Sequence, residues 1–239
     1  MHIYERIHML HRVWRYRLRE EKESIHYMLK QNLKGKTVLD IGANRGIYTY
    51  WMAKAVGSKG KVISFEPQPE LGDFLNDMIN SFRFHNVDIV NKGLSEKKGK
   101  TLMVRSKVGS GGAHFSAEEE DLSAYTDQNR FSVEVTTLDN YYTDNSIPPL
   151  AFVKCDVENH ELQVFKGGKQ TLSKYKPDLL FECHHHEAAS GTIFNYLKNL
   201  GYNGFFIYKG KQVSVDDFAA YPYKRASNTH RNYIFVAKK

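Results

Sequence analysis

The stretch VLDIGANRG, residues 38–46, joins a short apolar run to a segment with helical spacing. A strand end followed by a glycine turn and a helix start leaves backbone N–H groups unpaired beside the carboxyl edge of a sheet. Gly42 and Gly46 carry no side chain and let a ligand approach that backbone closely. The frame is not that of a phosphate loop, because GxxxxGK[ST] and its lysine are missing and Arg45 stands out of frame. It also departs from the dinucleotide fingerprint GxGxxG, since Ala43 and Asn44 follow Gly42. Glu66 ends the next apolar run, VISFE, 20 residues beyond Gly46. A carboxylate there accepts hydrogen bonds from the two hydroxyls of a ribose. Asp40, one strand over, orients the glycine turn or accepts a bond from a cationic amino group. A nucleoside-bearing ligand follows; a purely structural strand–turn–helix is the other reading of the glycines.

A second set of residues gathers later in the chain. Asp156 and Glu158 end one apolar run, and Glu182, His184, His185 and His186 end the next. In a parallel sheet these ends face the same crevice as Gly42. Asp156 is expected to serve as base or to orient an acceptor, with loop architecture as its alternative. His184 and His186 share a face if their strand continues, and an imidazole takes a proton near neutrality. Asp156, Glu182 and His184 also offer mixed oxygen and nitrogen ligands to a divalent ion. Their spacing matches no metal motif, and no metal is assigned. Glu161 reads as a cap or salt link for the next helix and His160 as solvent-facing. The segment YPYKRASNTHRN offers Tyr223 and Arg225 to an anionic acceptor, and Tyr141 and Tyr142 are further pocket candidates.

The elements that must position these groups alternate. Residues 5–31 read as one or two helices, followed by strand KTVLDIG, helix IYTYWMAKAV, strand GKVISFEP, helix PELGDFLNDMINSF and strand HNVDIVNKG. This is the βαβαβ pattern of a parallel sheet covered by helices. GKTLMVRS and FSVEVTTLDNYY then read as two strands of a sheet excursion, joined by a polar loop from Lys107 to Arg130 that is the expected lid. Alternation resumes with LAFVKCDVE, HELQVFKGGKQTLSKY, PDLLFECHH, ASGTIFNYLKNLG, NGFFIYKG and NYIFVAKK. Gly167 and Gly168 predict a kink or break in the first of these helices.

With 239 residues, 41% hydrophobic and 26% charged, the chain reads as a folded domain with a sizeable core. It divides into a helical extension, residues 1–32, and a main domain, residues 33–239. No run approaches a spanning helix and the N-terminus lacks a signal-peptide core, so a cytoplasmic site is expected. Cys155 and Cys183 lie in apolar runs and read as buried free thiols. Much of the formal charge of +7 is local: Arg6, Arg12, Arg15, Arg17 and Arg19 stand beside Trp14 and Tyr16. The preferred reading is an amphipathic capping helix with its arginines in water; a phosphate-binding or membrane-surface helix is the alternative.

VLDIGANRGIYT, VISFEPQP, VTTLDNYY and VKCDVENHELQVFKGG resemble, in order, the signature blocks of the FkbM family of S-adenosylmethionine-dependent methyltransferases. The resemblance covers about residues 36–183 and is far more specific than the glycine turn. It implies an α/β, class I (Rossmann-like) methyltransferase fold whose mostly parallel, seven-stranded sheet has its last strand antiparallel. It implies methyl transfer to a hydroxyl oxygen of a small-molecule, sugar or lipid-linked acceptor. Asp40, Gly42, Asn44 and Gly46 would line the methionine part of the cofactor, Glu66 would hold its ribose, and Asp88 and Asn91 fall where the adenine contacts would lie. Glu158, Asn159 and Glu182 would lie on the acceptor side with Tyr223 and Arg225. Asn159 stands where the family has glycine; asparagine tolerates a left-handed backbone, so the turn is expected to survive with a changed pocket. A nucleic-acid methyltransferase is less favoured, because no RNA-binding module accompanies the basic segments. A noncatalytic nucleoside-binding protein on the same fold is the remaining alternative.

Overall fold

The computed structural model describes residues 1–117, 119–221 and 230–238. Helices α1 (Ile3–Arg15) and α2 (Lys22–Lys30) are joined through a π-helical turn, Tyr16–Glu20. Then come β1 (Thr37–Ile41), α3 (Ile47–Val56), β2 (Lys61–Phe65), α4 (Pro69–Phe82) and β3 (Val87–Val90). The middle of the chain holds β4 (Gly93–Leu94), β5 (Gly99–Val104), β6 (His114–Phe115), β7 (Arg130–Thr136) and α5 (Leu138–Asn145). The last third contains β8 (Leu150–Cys155), α6 (Glu161–Gly167), α7 (Lys169–Tyr175), β9 (Asp178–His184), α8 (His185–Ser190), α9 (Thr192–Asn199), β10 (Tyr202–Tyr208), β11 (Lys211–Ser214) and β12 (His230–Ala237).

The main sheet runs β11-β10-β12-β9-β8-β1-β2-β3. Strands β9, β8, β1, β2 and β3 pair in parallel, and the terminal β12 inserts antiparallel between β9 and β10. The order is that of a class I methyltransferase fold. Among the described residues it has eight strands where seven were expected, because β11 folds back on β10 as an edge hairpin. The excursion forms its own small sheet, β4-β7-β5-β6. Its second expected strand is too long: it stops at Thr136, and LDNYY is helical. Thr137 Oγ1 accepts from Asn140 N at 3.0 Å, a cap that turns the chain into α5.

Alternate residues of β1 feed two cores. Leu39 and Ile41 pack with Phe65, Phe165 and Phe181 on one face of the sheet, while Val38 packs with Trp51, Met52 and Phe152 on the other. The N-terminal helices join this second core through Met9, Val13, Ile25 and Met28, and Trp51 Nε1 donates to Val13 O at 3.2 Å. The extension is therefore packed on the sheet through shared apolar side chains. Both cysteines are buried and free. Among the described residues no helix is long and apolar enough to cross a membrane.

The expected break at the paired glycines falls between α6 and α7. A β-carbon on Gly167 would stand 2.0 Å from Ser95 O, so the helix end rests directly on the backbone after β4. A Gly167→Ala variant should lose about 1–3 kcal/mol in chemical denaturation through overpacking. Gly99→Ala, where nothing lies within 4 Å, should stay within about 0.5 kcal/mol of the parent. Equal midpoints for the two variants would contradict the packing described.

Candidate functional site at the carboxyl edge of the sheet

The turn after β1 is built from left-handed backbone: φ is 76° at Gly42, 50° at Asn44 and 74° at Gly46. At Gly42 glycine is required for a second reason. A β-carbon there would lie 1.8 Å from Asp156 O, because β1 and β8 run on together past their ends, with Asp156 N donating to Ile41 O at 3.0 Å. At Gly46 the crowding comes from Leu75 and Met78 of α4. The close approach expected between these glycines and a ligand is thus partly an approach of protein to protein, and Gly46 packs against α4 rather than lining the cleft.

Four of the five N–H groups of the turn, residues 42–46, are also committed. Those of Gly42 and Ala43 both donate to Phe65 O at 3.0 Å, that of Gly46 donates to Ala43 O at 2.8 Å, and that of Asn44 donates to Glu66 Oε2 at 2.8 Å. Gln68 N donates to Glu66 Oε1 at 3.0 Å. Each carboxylate oxygen of Glu66 therefore holds one backbone N–H and keeps acceptor capacity for another donor. The residue is 3% exposed. Burial pushes its pKa up to about 7 against the opposing pull of those two hydrogen bonds.

Glu66 and Asn44 line a cleft together with Gly42, Phe65, Lys92, Leu94, Met103, Asp156, Val157 and Glu158. Gly111, Ala113, His114 and Phe115, from the expected lid, form its outer wall. The lid is tied down: Gln68 Nε2 donates to Ser110 O at 3.0 Å, and buried Arg105 bonds both oxygens of Glu70, at 2.9 and 3.0 Å, as well as Gln68 Oε1.

Three expected cofactor residues stand behind the cleft. Asp40 is 1% exposed and accepts from Thr49 Oγ1 at 2.6 Å, so it pins α3 to β1. Asn91 donates to Glu66 O at 3.1 Å and fills the space beside Gly72; it braces the carboxylate's backbone. Asp88 faces Lys61 Nζ at 2.6 Å near the opposite end of its strand. Its side chain is spent on a surface ion pair, which removes it from the adenine contacts.

At the carboxyl ends of β8 and β9 the structure gathers more charge than expected. Lys154, on β8, is buried and stands 3.1 Å from Asp156 Oδ2, without the alignment of a hydrogen bond. Burial alone would discharge this ammonium, but Asp156, Glu182 and Glu21 outweigh it and hold it protonated. Glu182 is pushed well up by burial and by the charge of Asp156. Glu21, at the end of the π-helical turn, is raised by burial against the pull of Lys154; its Oε2 accepts from Tyr48 OH at 3.1 Å and from Asn232 Nδ2 at 2.8 Å. Asn232 lies opposite Glu182 in the ladder of β12 and β9.

His184 Nε2 lies 3.7 Å from Glu158 Oε2. Its strand ends there, and His185 and His186 open α8. The shared face expected for His184 and His186 therefore fails, although their rings stay 5.8 Å apart; His186 is exposed. Glu158 and Asn159 carry φ of 53° and 67°, so Asn159 adopts the left-handed backbone expected of it. Glu161 Oε1 accepts from Val157 N at 3.0 Å, closing this turn. His160 is not solvent-facing: it is half-buried, bonds Ser95 Oγ at 2.9 Å and stacks edge-on against Phe115 of the lid. Tyr142 is buried core and Tyr141 packs on Phe65. Tyr223 and Arg225 lie outside the described residues. Among the described residues no three His, Cys, Asp or Glu side chains are grouped to hold a metal ion.

Sequence reasoning missed Lys154 and Glu21. The lysine had a signal, a charge inside the buried run LAFVKC; Glu21 had none. A Lys154→Met variant leaves buried acids without their counter-charge and should lose about 3–5 kcal/mol near pH 8 in denaturant unfolding. The loss should shrink as the pH is lowered, because burial raises the pKa values of Glu182 and Glu21 and favours their neutral forms. A loss independent of pH would contradict the charge pairing.

A family model for the methyltransferase FkbM domain matches residues 40–203. Hexuronic acid methyltransferase AglP of Haloferax volcanii is 29% identical over 162 residues, covering 67% of this chain; the chain spans 62% of that relative's length. Among solved structures, methyltransferase FkbM from Methylobacillus flagellatus superposes with a TM-score of 0.54 at 14% identity, over 86% of this chain and 45% of that one. A Streptococcus mutans protein solved in complex with SAH gives 0.54 at 8% identity, over 92% of this chain and 98% of that one. These likenesses show the fold.

Proposed function

The chain belongs to the FkbM methyltransferase domain family, and we propose that it transfers a methyl group from S-adenosylmethionine to a hydroxyl oxygen of a sugar-like acceptor, free or lipid-linked. The observation that carries this reading is Glu66: a carboxylate buried in the cleft, braced by two backbone N–H groups, with lone pairs left for the ribose hydroxyls. Phe65, Leu94, Met103 and Phe115 give the same cleft apolar walls suited to a flat base. The residues present therefore fit the cofactor. When bound, it supplies a methyl on a cationic sulfur and departs as a neutral thioether.

The protein's own contribution is alignment, exclusion of water and proton removal. Asp156 lines the cleft beside Gly42 and Glu158, and it is the group we assign to accept the acceptor hydroxyl's hydrogen bond and then its proton. Lys154 Nζ, 3.1 Å away, holds that carboxylate in place. Glu158 lines the same cleft, and His184, whose Nε2 lies 3.7 Å from its Oε2, is the next candidate base. The lid loop closes the outer side. A hexuronic acid, the substrate class named for the Haloferax relative, is the acceptor to test first.

Calorimetry should show S-adenosylmethionine and S-adenosylhomocysteine binding far better than NAD, and Glu66→Ala should weaken both by about tenfold or more in a variant that still folds. Equal binding of NAD would remove the methyltransferase reading. The ionised form of Glu66 is the better double acceptor, so affinity should rise about tenfold from about pH 6 to about pH 8, through the group's own pKa, and Glu66→Gln should flatten that rise. The folded protein without ligand should behave oppositely. A carboxyl raised from 4.5 to about 7 contributes its stability at low pH and loses it as pH climbs through that interval. In a hexuronic acid methylation assay, Asp156→Asn should lower turnover by about 10²–10⁴ while leaving cofactor binding unchanged.

A further inference from the structure

The described residues expose six large hydrophobic side chains, and five of them lie in the N-terminal segment: Ile3, Tyr4, Ile7, Trp14 and Leu18, between 46% and 75% exposed. The sixth, Val108, is in the lid. Ile3, Ile7, Trp14 and Leu18 follow one another at helical spacings of four, seven and four, so they form one stripe along α1 and the π-helical turn. Met9 and Val13, which anchor α1 to the domain, lie on the opposite face. The helix therefore has two apolar faces, and only one of them is used by the fold.

Basic side chains flank the unused face. Arg12, Arg15 and Arg19 follow one edge of the stripe and Arg6 and Arg17 the other, five arginines against Glu5 and Glu20 in the same segment. Arg17 stacks between Trp14 and Trp51, at 5.0 and 4.4 Å from their ring centres, which fixes Trp14 at the surface. An apolar stripe bordered by guanidinium groups matches the boundary between acyl chains and anionic headgroups: the aliphatic and indole groups enter the first few ångströms, and the arginines reach back to phosphates. A second copy of the chain would set these arginines against their own counterparts. Nucleic acid would pair with the arginines but leave Ile3, Ile7 and Leu18 without a role. With 13 residues, α1 lies on a membrane rather than crossing it.

We propose that α1 and the π-helical turn dock the protein on an anionic lipid bilayer. Glu21, which ends the turn, contacts Tyr48 and Asn232 beside the candidate acceptor site. Docking through this segment therefore holds the acceptor side of the cleft close to the bilayer.

The test is flotation of the full chain with vesicles of phosphatidylcholine alone or mixed with phosphatidylglycerol. Binding is expected to the mixed vesicles, with salt-sensitive release and a blue shift of Trp14 emission. Ile7→Ser with Leu18→Ser, and separately Arg15→Gln with Arg19→Gln, should each lower partitioning by about tenfold while the unfolding midpoint and S-adenosylhomocysteine affinity stay at parent values. Absent binding, equal binding to the neutral vesicles, or full binding by both variants would overturn the proposal. So would a concentration-dependent dimer or RNA retention that the stripe variants abolish, without vesicle binding; these would give the face to a second copy or to nucleic acid. Because cofactor affinity is read in parallel, failure here is separable from failure of the methyltransferase reading.

Discussion

The tip of β1 presses so closely on the tip of β8 that the carbonyl of Asp156 occupies the place of a side chain at position 42. That contact sets where both halves of the site stand. It forces the chain after β1 into left-handed backbone, and the resulting turn directs Asn44 N at Glu66 instead of at open solvent. It also places the Asp156 carboxylate at the wall of the same cleft. The glycine turn is therefore a brace between two carboxylates more than a cradle of free N–H groups. Its donors at Gly42, Ala43, Asn44 and Gly46 are spent within the protein, and Glu66 is the group it presents.

The two carboxylates are held by different physics. Glu66 is desolvated and steadied by dipoles, two backbone N–H groups that fix its plane while leaving its charge only partly compensated. Asp156 is steadied by a full charge, the buried ammonium of Lys154, which also serves Glu182 and Glu21. Burying one lysine among several acids contributes little net stability, since desolvation offsets the Coulombic gain. Its position at the end of β8 fits a role in holding the acceptor side rather than in the core. Through Glu21 the N-terminal segment takes part in that group, which makes these helices part of the site as well as of the core.

Much of this was legible in the sequence, and the reasons differ residue by residue. Glu66 was readable because a parallel strand has a defined end and a carboxylate there faces the crevice. Asn159 was readable because few side chains tolerate positive φ. The break after Gly167 followed from helix propensity. Asp88 was misplaced because a strand's apolar run does not say at which end an acid stands; here it lies near the start and pairs with Lys61. The helix over LDNYY was hidden by the β-propensity of the run before it, although Thr137 supplied a capping signal. His160 looked exposed because the lid that covers it comes from residues some 45 positions earlier, through Phe115. Glu21 was beyond sequence reasoning altogether, since its partners are contributed by α3 and β12 from far along the chain.

Glu66 is buried, braced by one backbone N–H on each carboxylate oxygen, and keeps acceptor capacity for the hydroxyls of a ribose. Labelling the glutamate side chains with carbon-13 and following the Glu66 carboxyl resonance through a pH titration addresses that directly. A midpoint near 7 is expected in the free protein, with a fall of about one unit or more when S-adenosylhomocysteine is bound, because hydroxyl donors favour the ionised form. A midpoint that does not move with the nucleoside present would contradict this role for Glu66.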